Sequence, residues 1–211
     1  YPCDSKFDTM KQINYILILL QLCCITACND WLEVAPQAEK EESEMFEKEA
    51  GFRNVLIGAY IRMKSNNLYG EDLTYGSIEM LAQHWTNTDD LGKYLKAYNY
   101  EQGDVETKIN SFYGNLYKVI ADVNGLLNNI DARKEVFEGN NYEIIKGEAL
   151  AIRAFCHFDV LRLFGPVPTN LSEGTILPYV TTVSIVPNHL VSYNDFTTKL
   201  LADLNEAERC L

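Results

Sequence analysis

Apolar residues recur at spacings of three and four in four separate stretches of this chain, and that spacing predicts four long helices. The first covers residues 44–65, with Phe52, Leu56, Ala59, Tyr60 and Met63 on one side. The second is the most regular: Val105, Ile109, Phe112, Leu116, Ile120, Val123, Leu127 and Ile130 step by 4, 3, 4, 4, 3, 4 and 3. They form one continuous stripe, with Asp104 placed as its N-cap. Asn110, Asn115, Asn124 and Asn128 fall on the other faces, set out for solvent or a partner. A short helical turn over 132–138 stops at Gly139. The third long helix opens at Asn140, with Glu143 three residues on in a capping-box arrangement. It carries Ile145, Ala149, Ile152, Cys156, Phe158 and Leu161, and it stops at Gly165 because Pro166 and Pro168 cannot extend the ladder. The fourth opens on Ser192 and Asp195, a second capping box flanked by Val191 and Phe196 as a staple. Its stripe of Phe196, Leu200, Leu204, Ala207 and Leu211 is still periodic at the last residue, the pattern expected of a chain shortened at its C-terminal end.

Two stretches break the period. Residues 66–104 are punctuated by Gly70, Gly76, Gly92 and Gly103 and are rich in aromatics. Residues 169–189 hold β-branched side chains with Pro178 and Pro187, which predicts a long loop with a short hairpin. Sequence-adjacent antiparallel helices with small inward residues (Ala149, Ala151, Ala154) point to an all-α fold of tetratricopeptide-like helical repeats with long irregular loops, although no 34-residue period superposes.

The first thirty residues read differently. Residues 1–9 precede the first methionine and are set aside from the fold as upstream sequence. Residues 10–27 have the form of a secretory signal: Met10-Lys-Gln, then an apolar run from Ile13 to Ala27 that is shorter than the roughly 20 residues a spanning helix needs. The run ends Ile25-Thr-Ala-Cys28, an aliphatic residue, two small ones and a cysteine, which resembles a bacterial lipobox. Cys28 is therefore the expected lipidation site, and an ordinary cleaved signal with an incidental cysteine is the alternative. Two or three acyl chains are needed for stable anchoring, because one holds only reversibly at about 0.8 kcal/mol per buried CH₂. Residues 28–43 form a polar, Glu-rich tether, and 44–211 the folded domain.

Placing the cysteines changes what six of them imply. Cys3, Cys23 and Cys24 lie before the lipobox cysteine, which leaves Cys156 and Cys210 in the exported body. Those two could pair, but Cys156 lies within an apolar helix pattern, where a buried free thiol is expected. The net charge is −12, with 18 basic and 30 acidic side chains. Removing residues 1–27 takes two lysines and two aspartates and leaves that charge unchanged. Such an acidic surface argues against nucleic acid as a partner. With three histidines and no zinc spacing, P-loop, dinucleotide fingerprint or nucleophile elbow, neither metal, cofactor nor catalytic machinery is expected.

Two blocks resemble one family. Cys28-Asn-Asp-Trp-Leu-Glu-Val-Ala-Pro36 is similar to the segment after the lipid cysteine of SusD/RagB proteins. Ile145-Lys-Gly-Glu-Ala-Leu-Ala-Ile-Arg-Ala-Phe-Cys-His-Phe-Asp-Val-Leu-Arg-Leu-Phe-Gly-Pro-Val-Pro168 resembles that family's most recognisable stretch. Phe46, Gly58-Ala-Tyr60 and Asp203-Leu-Asn-Glu-Ala207 fit its flanking helices. The resemblance implies an outer-membrane, surface-facing lipoprotein of Bacteroidota, without catalysis, that captures oligosaccharide or sometimes peptide for a SusC-like TonB-dependent transporter. It also implies that this chain is the N-terminal portion of a longer body. The alternative is a tetratricopeptide-like scaffold that binds only protein.

Candidate site residues follow on both grounds. Tyr69, Tyr75, His84, Trp85, Tyr94, Tyr98 and Tyr100 are interleaved with Asn87, Asp89 and Asp90, which suits a sugar's apolar C–H face and polar rim. The family places glycan contacts in the corresponding loop, and Trp85, Asn87 and Tyr94 are the expected ligand-binding residues. Packing of these rings onto the helices is the competing reading. Glu148, Arg153, Asp159 and Arg162 are expected to tie helices together or to cap the Arg162-Leu-Phe-Gly165 end, and His157 and Asp159, two apart on a helix, point in divergent directions and do not make a metal pair.

Overall fold

A computed structural model of the chain describes residues 44–84, 90–167 and 174–211. The signal, Cys28 and the tether lie outside the described residues, as do Trp85 and Asn87. The four predicted helices are α1 (Glu49–Met63), α4 (Gly103–Ile130), α5 (Asn141–Phe164) and α6 (Tyr193–Cys210). The aperiodic 66–104 stretch contains two short helices, α2 (Ser77–Leu81) and α3 (Asp90–Lys96), too brief to show a period. A 3₁₀ turn, Asp131–Val136, links α4 to α5. The expected hairpin pairs β1 (Thr175–Leu177) with β2 (Val191–Ser192), antiparallel, Thr175 opposite Ser192 and Leu177 opposite Val191.

The amphipathic α4 is the spine. Its 28 residues make a rod of about 42 Å at ~1.5 Å per residue. Phe112, Leu116, Ile120 and Val123 are buried against Phe52, Leu56 and Ala59 of α1, Ile145, Ala149 and Ile152 of α5, and Phe196 and Leu200 of α6. Each such large side chain contributes about 1.5–3 kcal/mol by leaving water. A smaller cluster of Met80, Leu95 and Val105 holds α2 and α3 onto the start of α4, with Ile109 packed on both clusters.

Close approach explains one family-like glycine. A Cβ on Gly147 would stand 2.8 Å from Leu211 Cγ and 2.9 Å from Cys210 Cβ, so only hydrogen fits where α5 meets the end of α6. At Gly139 the reason is conformational: its φ of +55° lies in the left-handed region, so the chain can turn there between the 3₁₀ turn and α5.

Several local expectations are corrected. Helix α1 starts at Glu49, not at residue 44, since the backbone at Phe46 and Glu47 turns and the Phe46 ring folds back onto Phe52 at 4.6 Å. Asp104 lies in the first turn of α4 and does not cap it, the helix beginning one residue earlier with Gln102 at the cap. Asn140 makes no side-chain cap either. The carboxylate of Glu49 instead accepts from Glu138 N–H at 2.9 Å and Asn141 Nδ2 at 2.8 Å, so a tertiary contact replaces the local box. By contrast, Ser192 Oγ accepts from Asp195 N–H at 3.1 Å, as the pattern predicts. Asn124 is fully buried and not presented to solvent or a partner, because it is drawn into the network described next.

Candidate functional site

The family-like stretch of α5 builds a buried lock. Arg153 donates from Nε to Asp203 Oδ2 at 2.7 Å and from Nη2 to Oδ1 at 2.6 Å, a two-pronged pair between α5 and α6. Its Nη1 reaches Asn124 Oδ1 on α4 at 3.0 Å. Asn124 Nδ2 then donates to Val180 O at 2.9 Å, and Tyr179 Oη donates to Asp203 Oδ2 at 2.5 Å. His157 completes the set: Val180 N–H donates to Nε2 at 3.0 Å, and Nδ1 lies 2.9 Å from Arg153 O. Those partners require the neutral ring with its proton on Nδ1. The imidazole also stacks on Tyr179 with 3.9 Å between centroids. Burial pushes the Tyr179 hydroxyl pKa up, and the hydrogen bond to Asp203 adds to the rise. Three helices and the 177–180 strap thus share one polar cluster that is fully satisfied inside an apolar core.

A second set pins the aromatic stretch. Tyr69 Oη donates to Asp159 Oδ2 at 2.7 Å, and Arg162 pairs with Asp159 Oδ1 at 2.8 Å, three residues along the same helix. The Tyr69 ring packs on Phe155 at 5.1 Å. Burial raises the Tyr69 hydroxyl pKa, with neighbouring Cys156 and Asp159 adding to it. Farther on, Asp72 accepts from Ser77 Oγ and Lys108 Nζ, both at 2.7 Å, which ties the turn to α4. Gly70 sits where a Cβ would come within 2.2 Å of Lys64 O, so the backbone doubles back too tightly for any side chain. Arg153 and Asp159 therefore tie α5 to its neighbours, as does Glu148, which accepts from Tyr60 Oη of α1 at 2.8 Å. Arg162, by contrast, pairs with Asp159 within α5 and does not bridge to another helix through that contact, and His157 and Asp159 have separate partners.

From that pinned base the loop carries exposed rings: Tyr75, Tyr98 and Tyr100. Gln83 and Tyr98 take left-handed backbone angles, φ 59° and 53°, costing non-glycine residues about 1–2 kcal/mol each. They are joined, since Gln83 Nε2 donates to Tyr98 Oη at 3.2 Å and that hydroxyl donates to Leu81 O at 3.2 Å. Such strain persists only where surrounding structure enforces it, and it clusters at functional sites. In sequence, the two strained residues bracket Trp85, Asn87 and Tyr94. Tyr94 is half-buried against the Met80–Leu95–Val105 cluster, with Lys93 Nζ 5.5 Å from its ring centroid. Tyr100 stands over an apolar slot of about 160 Å³ with Phe112 and Phe164. The positive-φ pair was invisible in the sequence, where neither glutamine nor tyrosine signals a left-handed turn.

Cys156 is buried and free, its thiol pushed up to a pKa of about 12 by burial, and Cys210 is a half-buried free thiol. Among the described residues no group of acidic, histidine or cysteine side chains is placed to hold a metal, and no helix is long and apolar enough to cross a membrane.

Comparison with known proteins gives this arrangement its context. Residues 30–207 match the model of a SusD-like family described as starch-binding and associating with the outer membrane. A SusD-like protein of Formosa agariphila is 28% identical over 168 residues, covering 75% of this chain and 31% of that protein. A second from the same organism is 23% identical over 205 residues, 95% of this chain and 38% of the relative. The chain thus spans about a third of the length of the curated relatives it matches. The crystal structure of a SusD superfamily protein from Bacteroides vulgatus superposes with a TM-score of 0.57 at 21% identity, over 79% of this chain and 35% of that one. The fold is accordingly the helical fold of that superfamily, and with a match across residues 30–207 the chain belongs to the SusD-like family.

Proposed function

We propose that the chain is the N-terminal portion of a cell-surface, non-catalytic lipoprotein that captures oligosaccharide and hands it to a SusC-like TonB-dependent transporter. The observation that carries this is the aromatic stretch: exposed Tyr75, Tyr98 and Tyr100 on a backbone strained at Gln83 and Tyr98 and pinned through Tyr69 and Asp72. Rings held on a stiff base lose little entropy when a sugar stacks on them. Trp85, Asn87 and Tyr94 belong to the same stretch and are proposed as ligand contacts. The family description, starch-binding, makes maltoheptaose the first probe within a broader glycan panel.

The test is tryptophan fluorescence of the full chain titrated with that panel. At least one glycan should shift the emission, and Trp85→Ala or Tyr98→Ala should weaken its binding about tenfold, the equivalent of ~1.4 kcal/mol. A flat response to every glycan would instead favour the scaffold that binds only protein. Release of reducing ends would contradict the non-catalytic reading.

Attachment to the outer membrane is proposed to run through Cys28, the last residue of Ile25-Thr-Ala-Cys28. Cells expressing the chain should incorporate a clickable fatty-acid analogue into it, and Cys28→Ala should abolish that label. Undiminished labelling of the alanine variant would exclude the anchor.

A further inference from the structure

A cavity larger than the slot under Tyr100 opens between α4 and the segment 178–190. It holds about 440 Å³, within the range of about 300–1,000 Å³ that small-ligand sites span. Among the described residues its lining takes nothing from the aromatic stretch 69–100. The floor is α4, where Tyr113, Gly114 and Tyr117 follow one another within about one turn. Both rings are braced. Tyr113 meets Phe164 edge-on with 5.1 Å between centroids, and Tyr117 meets His157 edge-on at 6.1 Å. The two tyrosine rings lie 4.8 Å apart, and Tyr117 Oη donates to Pro178 O at 2.8 Å. Val180, in the opposite wall, is held by the buried lock on both sides of its backbone: its N–H donates to His157 Nε2 at 3.0 Å and its carbonyl accepts from Asn124 Nδ2 at 2.9 Å. A site pre-formed in this way loses little ordering entropy when it is filled.

The chemistry of the lining selects the occupant. No acidic or basic side chain is among the lining residues, so a charged ligand would leave water for a place without a counter-charge. The rim is polar all the same, with Thr182, Ser184 and Asn188. The side chains of Thr182 and Asn188 have no hydrogen-bond partner among the described residues, and Ser184 Oγ accepts from Val186 N–H at 3.0 Å, which leaves its own proton to give. Two aromatic rings ringed by hydroxyl and amide groups suit a pyranose, whose C–H face is apolar and whose edge carries neutral hydroxyls. Gly114 points the same way. Glycine weakens a helix interior, and a Cβ at Gly114 would meet no atom within 4 Å, so packing does not call for it there. In the floor of the cavity, however, a bare backbone lets a ligand ring come close.

We propose that this cavity is a second binding site, for a neutral hexose unit, with Tyr113 and Tyr117 as its platform and Thr182, Ser184 and Asn188 as its hydrogen-bonding rim. It shares the ligand class of the proposed function and none of its residues, so either can fail without the other.

The test is equilibrium dialysis of the full chain against labelled maltoheptaose, cellohexaose and mannohexaose. At least one should bind, and Trp85→Ala should leave part of that binding in place. Gly114→Leu, which fills the floor, should weaken the remaining part tenfold or more. Its melting temperature should not fall, because leucine favours a helix and the new side chain enters open space. Asn188→Ala should weaken the same part about fivefold, and trigalacturonate, the ionised counterpart, should not compete for it. Binding that Gly114→Leu leaves intact, or that Trp85→Ala removes entirely, would overturn the second site and leave the aromatic stretch as the place of capture. Full competition by trigalacturonate would overturn the selection for a neutral ring, and no binding of any of the three would overturn the site itself. If Gly114→Leu removes all binding and Trp85→Ala none, the second site stands and the aromatic stretch is not where sugar is held.

Discussion

Replacing Asp203 with alanine should cost this protein about 3–5 kcal/mol, the toll of leaving one member of a buried ion pair without its partner. Arg153 and Asp203 are each 8% exposed, so a stranded guanidinium could not turn to water without opening the α5–α6 interface. The loss should spread beyond the pair. Asp203 also accepts from Tyr179, and Arg153 also holds Asn124, so the 177–180 strap loses two of its moorings together. For a body of this size the change corresponds to a fall in melting temperature of roughly 10 °C. Urea denaturation of the wild type, Asp203→Ala, Arg153→Met and the double variant forms a cycle that isolates the coupling. The double variant should be less damaged than the sum of the singles, because it leaves no charge unpaired. A loss under ~1 kcal/mol for Asp203→Ala, the size expected of an exposed pair such as Arg53–Glu49, would show that the cluster does not lock the helices.

Acidification should weaken the fold well before most carboxylates titrate, and His157 is the reason. Burial lowers its pKa from 6.5 to about 4, and the nearby Arg153 charge pushes the same way. The hydrogen bond from His157 Nδ1 to Arg153 O and the nearby negative charge of Asp203 oppose the shift only in part. Protonation would also put a hydrogen on Nε2, where Val180 N–H now donates. The sign follows from proton binding. Above about pH 6.5 the ring is neutral in both folded and unfolded chains, and its contribution to stability is fully present. Below that the unfolded chain takes up a proton that the folded chain refuses, so stability falls until the pH passes about 4. The whole loss is on the order of 3 kcal/mol, at ~1.36 kcal/mol per unit of displacement. Between pH 6.5 and pH 5 the wild type should therefore shed about half of it, while His157→Gln, with no proton to bind, should show a much flatter profile. Identical slopes for the two proteins across that window would mean that His157 charges freely in the folded state.

The helices were legible because the information that makes them is local. In α4 the 3–4 spacing of eight apolar residues predicts both the helix and the face it buries, and Phe112, Leu116, Ile120 and Val123 are all in the core. Ser192 and Asp195 announce the start of α6 for the same reason, since donor and acceptor are three residues apart. Gly147 could be picked out by its place in a family-like motif, but its purpose, a close approach to Cys210 and Leu211, involves residues more than sixty positions away. The candidate site was legible as composition only. Its aromatics are evident in the sequence; which of them are exposed, as Tyr75, Tyr98 and Tyr100 are, and which pack, as Tyr69 and half of Tyr94 do, is decided by neighbours on α4 and α5.

By itself, then, the sequence determined four long helices, the acidic character, the lipobox-like start and the family resemblance, each carried by contiguous residues or by total charge. The tertiary structure alone decided the partners of the charged residues in α5. Arg153 finds Asp203 fifty positions away and Asp159 finds Tyr69 ninety away, distances at which periodicity carries no signal. It also decided which apolar faces are left uncovered. Phe155 and Phe158 look like ordinary core residues in the sequence, and only the packing of α1, α5 and α6 turns them into the walls of an open groove. A side chain's hydrophobicity says that it will be buried against something, and the arrangement of helices says against what.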